Sequence, residues 1–227
     1  MRAGDIFSYM YMCQYEKTTL QRGMNYNHSG RSIFLMSVRV NAPYADRVEE
    51  NGKVLIYEGH DIQKNHTKMN PKMVDQPETN PSGTKTQNGL FYQAAQNIKN
   101  GKKPELVKVY EKLRYGIWTY NGLFKLMDSW KEKDFNNRLV FKFKLFFTED
   151  SHENETNVEL EHTRLIPSEI KKQVWIRDKG QCTKCGSKDN LHFDHIIPFS
   201  KGGSSLVAEN IQLLCARHNL GKSVKIE

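Results

Sequence analysis

Cysteine is scarce, with four in 227 residues, too few for a disulfide-stapled scaffold. No run approaches the ~18 consecutive apolar residues of a membrane-spanning helix. The opening MRAGDIFSYMYMCQYEKTTLQ lacks the apolar stretch and small-residue cleavage site of a secretory signal. Internal repeats are absent as well. These absences point away from secretion and membranes and toward a cytoplasmic protein. Acidic residues are outnumbered, 26 Asp and Glu against 34 Lys and Arg, for a net charge of +8. A basic chain of this kind suits a polyanionic partner. Its 37% hydrophobic content is enough for a packed core, and its length allows two modest domains.

The charge is unevenly spread. Residues 1–148 carry a net +9 and residues 163–227 a net +5. Between them EDSHENETNVELEH, residues 149–162, carries −6 with no basic residue. Two basic blocks thus flank an acidic stretch poor in apolar residues, which reads as a solvated linker.

The first block reads mainly as strands. Ile33–Val40, Lys53–Tyr57, Leu106–Tyr110, Gly122–Leu126 and Arg138–Phe147 are rich in β-branched and aromatic residues. In the last of these, Phe141, Phe143 and Leu145 alternate with Lys142 and Lys144, a half-buried pattern. One helix is expected over Asn88–Asn100, with Leu90, Phe91, Ala94 and Ile98 inward and Gly101 as its stop. Residues 60–87 read as a long irregular loop, a feature usually functional or disordered. In the second block a helix starts at Pro167, buries Ile170, Val174 and Trp175, and ends at Gly180. A short hairpin around Leu191–Ile197 and a final helix after Leu214 follow.

Cys182-x-x-Cys185 and Cys215-x-x-His218 give two ligand pairs at knuckle spacing. Zn²⁺ favours four such donors in a tetrahedron, and the x₂ spacing lets one turn deliver two of them. A structural zinc on Cys182, Cys185, Cys215 and His218 is therefore expected. The alternative is His218 on a catalytic ion, with three cysteines left for zinc. Cys13 lies far away and reads as a small buried hydrophobe.

Within that frame stand Asp194-His195, the Gly202-Gly203 pair, Asn210 and His218-Asn219-x-x-Lys222. These motifs, over about sixty residues, resemble the HNH nuclease family, whose ββα-metal fold a zinc site often braces. The resemblance implies phosphodiester hydrolysis, which needs a base for water and a hard cation for the phosphate oxygens. On it, His195 is the general base, and Asp194 and Asn219 hold Mg²⁺ or Mn²⁺. Asn210 orients His195 or ties the loop down. His192 is a bystander or a phosphate contact.

The first block resembles the SRA (YDG) domain, a PUA-superfamily reader of modified cytosine. The resemblance rests on Gly4–Phe7, Ser32–Val38, Tyr44-Ala45-Asp46, Leu55–His60, Asn88-Gly89-Leu90 and Tyr120-Asn121-Gly122. It departs from the family at Ala42-Pro43, where Gly-Gly is usual, and at Arg47, where an acidic residue is usual. Tyr-Asn-Gly also replaces Tyr-Asp-Gly. Reading a flipped base calls for an aromatic sandwich and an acceptor for the N4 amine. The expected pocket is Tyr44 and Tyr57 as the faces and Asp46 as the acceptor, with Glu49 or Glu50 as substitutes.

The expected fold is α+β: a curved SRA/PUA-like β-barrel domain over 1–148, a linker over 149–166 and a zinc-braced HNH domain over 167–227. The resemblances together imply a type IV-like restriction endonuclease that recognises 5-methylcytosine or 5-hydroxymethylcytosine in double-stranded DNA. One nuclease centre per chain implies a homodimer, or two successive events, for cutting both strands. The rivals are an HNH nicking or homing-type enzyme that reads sequence, and a modified-DNA-binding protein without catalysis.

Overall fold

The computed structural model describes residues 1–27, 30–38, 41–148 and 165–222. The acidic run therefore lies outside the described residues, as do the last two positions of the strand expected at 33–40. The N-terminal unit contains β1 (Ile6–Ser8), α1 (Tyr9–Glu16), β2 (Met24–Asn25), β3 (Ser32–Met36), β4 (Arg47–Glu49), β5 (Val54–Glu58), α2 (Gln87–Ile98), β6 (Leu106–Arg114), β7 (Ile117–Lys133) and β8 (Leu139–Thr148). The C-terminal unit contains α3 (Ser168–Arg177), β9 (Leu191–His195), β10 (Ile211–Cys215) and α4 (Ala216–Lys222). No helix among the described residues is long and apolar enough to cross a membrane.

One mixed sheet runs β2-β3-β6-β7-β8-β5-β4, with β1 paired to β7. Among the described strands of this sheet, only β3 and β6 pair in parallel; the other pairings are antiparallel. Gly122 of the Tyr-Asn-Gly motif follows a register shift at Val109/Tyr110. Its φ is +110°, and a Cβ there would stand 2.6 Å from the Phe147 ring. Only glycine meets both demands.

The core of this unit lies between the sheet and α2. Phe34 packs on Tyr57 at 4.2 Å and on Phe91 at 4.6 Å between ring centres. Thr86 caps α2, accepting from the Gly89 N–H. The buried face of α2 is Asn88, Gly89, Phe91 and Ala95; of the expected inward residues, Phe91 is in the core, Ala94 packs half-buried against it, and Leu90 and Ile98 are half-buried. Polar Asn88 is buried because its amide clasps the His60 backbone, accepting from its N–H and donating to its carbonyl, each at 2.8 Å. The β8 alternation is also altered. Lys142 is buried because its ammonium lies 2.8 Å from buried Glu58. The 60–87 segment is ordered: Arg138 donates to Asp61, Pro71 and Val74, and Gln76 bridges Gly59 and Phe141.

A second core joins Ile166, Val174, Leu191, Phe193, Ile211, Leu213 and Leu214, with Ile6 and Leu113 of the N-terminal unit packed against it. Leu165 and Ile166, the two described residues at the end of the expected linker, are both buried. Helix α3 ends at Arg177, and Gly180 follows it at φ +60°, its N–H bonded to the Trp175 carbonyl.

Candidate reader cavity and nuclease centre

A cavity of about 560 Å³ opens in the N-terminal unit, with Ser37, Tyr44, Asp46 and His60 among its lining. Asp46 leads into β4, and both of its carboxylate oxygens accept backbone N–H groups, from Glu58 at 3.0 Å and Ser37 at 3.1 Å. Burial nevertheless pushes its carboxyl up to about 7. Glu49 instead pairs with Arg47 in solvent, so among the expected acids Asp46 is the one in the cavity wall.

The Tyr44 ring lies nearly parallel to the His60 ring, 4.8 Å between centres and 9° between planes. Lys72 places its ammonium 4.1 Å from the Tyr44 centre. Burial, followed by the nearby Asp61 charge, pushes the Tyr44 hydroxyl up to about 12. Burial also pulls His60 down to about 4, which leaves its imidazole neutral at physiological pH.

The expected Tyr44–Tyr57 pair of faces is not what the structure builds. Tyr57 stands opposite Phe143 in the β5–β8 register, on the core side, and is 1% exposed. Its ring stacks on Phe34, and only its hydroxyl approaches the cavity wall, 3.0 Å from His60 Nε2 and 3.2 Å from the Leu35 carbonyl. His60 is thus the aromatic beside Tyr44. Gly23 permits this approach, since a Cβ there would stand 2.6 Å from the Tyr57 hydroxyl and 2.7 Å from His60 Nε2.

In the C-terminal unit the β9–β10 hairpin and α4 bring the chemical groups together. Cys215 ends β10 and His218 follows one turn into α4. The turn after α3 supplies Cys182 and Cys185, closed by the Gly186 N–H to the Cys182 carbonyl. All four donor atoms lie within 4.8 Å of one another. His218 Nδ1 is 3.4 Å from Cys182 Sγ and 3.3 Å from Cys215 Sγ, and the Cys185 and Cys215 sulfurs are 3.9 Å apart. A tetrahedral zinc with ~2.3 Å Zn–S bonds separates its donors by roughly 3.5–3.8 Å. The cluster is consistent with structural zinc, and His218 stands with the cysteines. Burial raises the Cys182 thiol, but N–H groups of Cys215, Lys184 and Cys185 outweigh it and bring it down to about 6.

Asp194 and His195 end β9. The Lys222 ammonium, from α4, is buried and bonds both the Asp194 carboxylate and the His195 carbonyl. His195 Nε2 lies 2.8 Å from Ser205 Oγ. Asn210 accepts from the Ile197 N–H and donates to the Ile197 and Ser204 carbonyls, and so ties the loop down. Asn219 sits half-buried on α4, the helix packed on β9 and β10.

Residues 1–150 match the SAD/SRA domain family, more than half of the chain. The chain belongs to the SAD/SRA family. Residues 182–225 match the HNH endonuclease family, so an SRA domain is joined to an HNH endonuclease domain. Among solved structures, the chain is similar to the SUVH5 SRA domain in complex with hemi-methylated CG DNA. That likeness has 24% identity, 69% of this chain, 94% of that one and a TM-score of 0.46. The same domain bound to fully hydroxymethylated CG DNA gives 24%, 69%, 95% and 0.46. The modification-dependent TagI restriction endonuclease is similar over 96% of this chain and 76% of that one, at 18% identity and a TM-score of 0.42. No curated protein matches the chain.

The SRA and HNH domains are bonded to each other. His192 Nδ1 lies 2.9 Å from the Asp5 carboxylate, which makes it a domain contact. The Phe193 N–H donates to the Gly4 carbonyl at 3.2 Å. Lys171 of α3 reaches Glu111 and Asn121 of the SRA sheet. The sequence marks His60 and Asn88 only as members of the SRA-like segments, without a role of their own, and does not single out Ser205 or Lys171. For His60 the available signal was a polar aromatic directly after the β5 strand, beside Gly59.

Proposed function

We propose that the chain is a modification-dependent DNA endonuclease, in which the SRA cavity selects a modified cytosine and the HNH domain cuts nearby. The supporting observation is the SRA cavity wall of Tyr44, His60 and Asp46 on a domain bonded directly to the HNH centre. A base swung out of the helix finds aromatic rings to stack on, worth about 1–3 kcal/mol, comparable to the few kcal/mol that extrusion costs. In its ionised form, which its raised pKa of about 7 places in balance with the protonated one near neutral pH, the Asp46 carboxylate accepts from the N4 amine of cytosine and repels the O4 of thymine. Burying a methyl is worth only about 0.8 kcal/mol, so 5-methylcytosine and 5-hydroxymethylcytosine both qualify.

In the HNH domain His195 takes the proton from the attacking water, and Ser205 fixes the plane of its ring. Asp194 and Asn219 offer a carboxylate and an amide oxygen, donors suited to Mg²⁺ or Mn²⁺. Such an ion, when bound, stabilises charge on the phosphate oxygens. Lys222 holds Asp194 in place, and Asn210 holds the loop that carries Ser205. The Cys182, Cys185, Cys215 and His218 cluster binds zinc and fixes α4 against the hairpin. Two copies, or two successive events, cut both strands.

The test is digestion of matched duplexes containing cytosine, 5-methylcytosine or 5-hydroxymethylcytosine, with Mg²⁺ or Mn²⁺, by wild type and His195→Ala. Cleavage is expected on modified duplexes only, and the variant should lose about 10²–10⁴ in rate while still binding them. Equal cleavage of the unmodified duplex would instead identify a sequence-reading nuclease. Binding without product under every ion would identify a reader without catalysis.

A further inference from the structure

The cavity continues past the base-reading wall to the turn between β6 and β7, where Lys112, Tyr115 and Trp118 also line it. Tyr115 is 91% exposed at the tip of that two-residue turn. An aromatic ring there contributes nothing to the core, and the turn itself needs only Gly116, at φ +73°. The Lys112 ammonium stands near both rings, 5.7 Å from the Tyr115 centre and 5.6 Å from the Trp118 centre. The same strand end carries the nuclease. Leu113 packs on the HNH core, and the Arg114 guanidinium stands 5.5 Å from the Trp175 ring of α3.

We infer that Lys112, Tyr115 and Trp118 form a second nucleotide subsite, which stacks an unstacked DNA base flanking the flipped one and contacts its phosphate. This inference rests on the SRA cavity being the modified-base site. Three features select a nucleotide as the occupant. The cavity is continuous with the base site, two flat rings are offered, and a cation stands near both to meet a phosphate. Aromatic rings interleaved with cations hold single-stranded nucleic acid without reading its sequence. The ledge would therefore add affinity and set the path of the strand from reader to nuclease, without adding base specificity.

Because Tyr115 is so exposed, Tyr115→Ala leaves the fold intact and gives a clean test. Anisotropy titrations would compare wild type, Tyr115→Ala, Tyr115→Phe and Lys112→Ala on a modified duplex and on an unmodified single strand. Tyr115→Ala is expected to weaken both by about tenfold, with Tyr115→Phe near wild type. A 5-iodouracil placed beside the modified cytosine should cross-link to the 112–118 segment. Affinities within twofold of wild type for Tyr115→Ala on both DNAs, or a cross-link confined to other segments, would overturn the subsite. If wild type shows no preference for modified duplex but Tyr115→Ala still loses the single strand, the reader assignment fails and the ledge stands.

Discussion

The Lys171 ammonium lies 3.2 Å from a Glu111 carboxylate oxygen, with the two side chains only 2% and 1% exposed. Asn121 completes the triangle, accepting from Lys171 and donating to Glu111 at 3.0 Å. Glu111 and Asn121 belong to the SRA sheet, and Lys171 to the helix that opens the HNH domain. A charge pair bridging two domains away from water fixes their relative orientation. On the proposed function, this interface would help set the distance from modified base to cut.

Removing one partner strands the other charge in the interior, which typically costs about 3–5 kcal/mol. Burial already draws the Lys171 pKa down, opposed by Glu111. Lys171→Met should therefore destabilise the protein by that amount in urea unfolding, and Lys171→Met with Glu111→Leu should recover most of it. The single variant should also broaden the distribution of cut positions. A single variant as stable as wild type would show that the pair does not hold the domains.

The Asp46 carboxyl gives a pH signature. Its folded pKa of about 7 exceeds the ~3.9 of an unfolded aspartate, so the folded chain keeps a proton that the unfolded chain has released. The contribution is fully present below ~4 and is lost as pH rises through about 7. Asp46→Asn cannot titrate. The melting temperature of wild type relative to Asp46→Asn should therefore fall between pH 5 and pH 8. Parallel curves for the two proteins would mean that the carboxylate is not raised.

The cysteine cluster should hold one zinc per chain, measurable by elemental analysis. Cys185→Ser should lower the stability of the HNH domain, and strong chelation should unfold it, because folding and metal binding are one equilibrium at such sites. Modified-duplex binding through the SRA domain should survive in part. A folded HNH domain free of zinc would remove the structural role.

What the sequence shows depends on how far apart the interacting residues are. The Cys182, Cys185, Cys215 and His218 cluster comes as two short-spaced pairs, so its four donors can be read directly. The strands of the SRA sheet carry β-branched and aromatic runs, and five of them are visible. Helix α1 is not, because Tyr9–Glu16 shows no apolar stripe and only Met12 is buried. It is set instead by the Ser8 cap and by Lys17 at φ +53°. Of the cavity wall, Tyr44 and Asp46 are visible and the role of His60 is not, since Asn88 clasps it from 28 residues away. Lys171 looks like one more surface lysine, because its partners lie 50 and 60 residues upstream.

The reader itself is tested by separating Tyr44 and His60 from Tyr57. If a flipped cytosine stacks against the Tyr44 and His60 rings, the two rings must part to admit it or offer it an outer face. Either way, removing either ring should weaken binding to modified duplex by about 1–3 kcal/mol. Binding to unmodified duplex rests on phosphate contacts from Lys and Arg and should change little. Tyr57→Phe keeps the ring on Phe34 and loses only the hydroxyl beside His60, so its effect should be smaller than that of His60→Ala. An opposite order, with Tyr57→Phe the more damaging, would return Tyr57 to the base site. Fluorescence of 2-aminopurine opposite the modified cytosine should rise on binding to wild type as that cytosine leaves the stack. It should rise less with Tyr44→Ala and His60→Ala at saturating protein. No rise with wild type would mean that the modification is read in the groove of a stacked duplex, and the aromatic wall would lose its function.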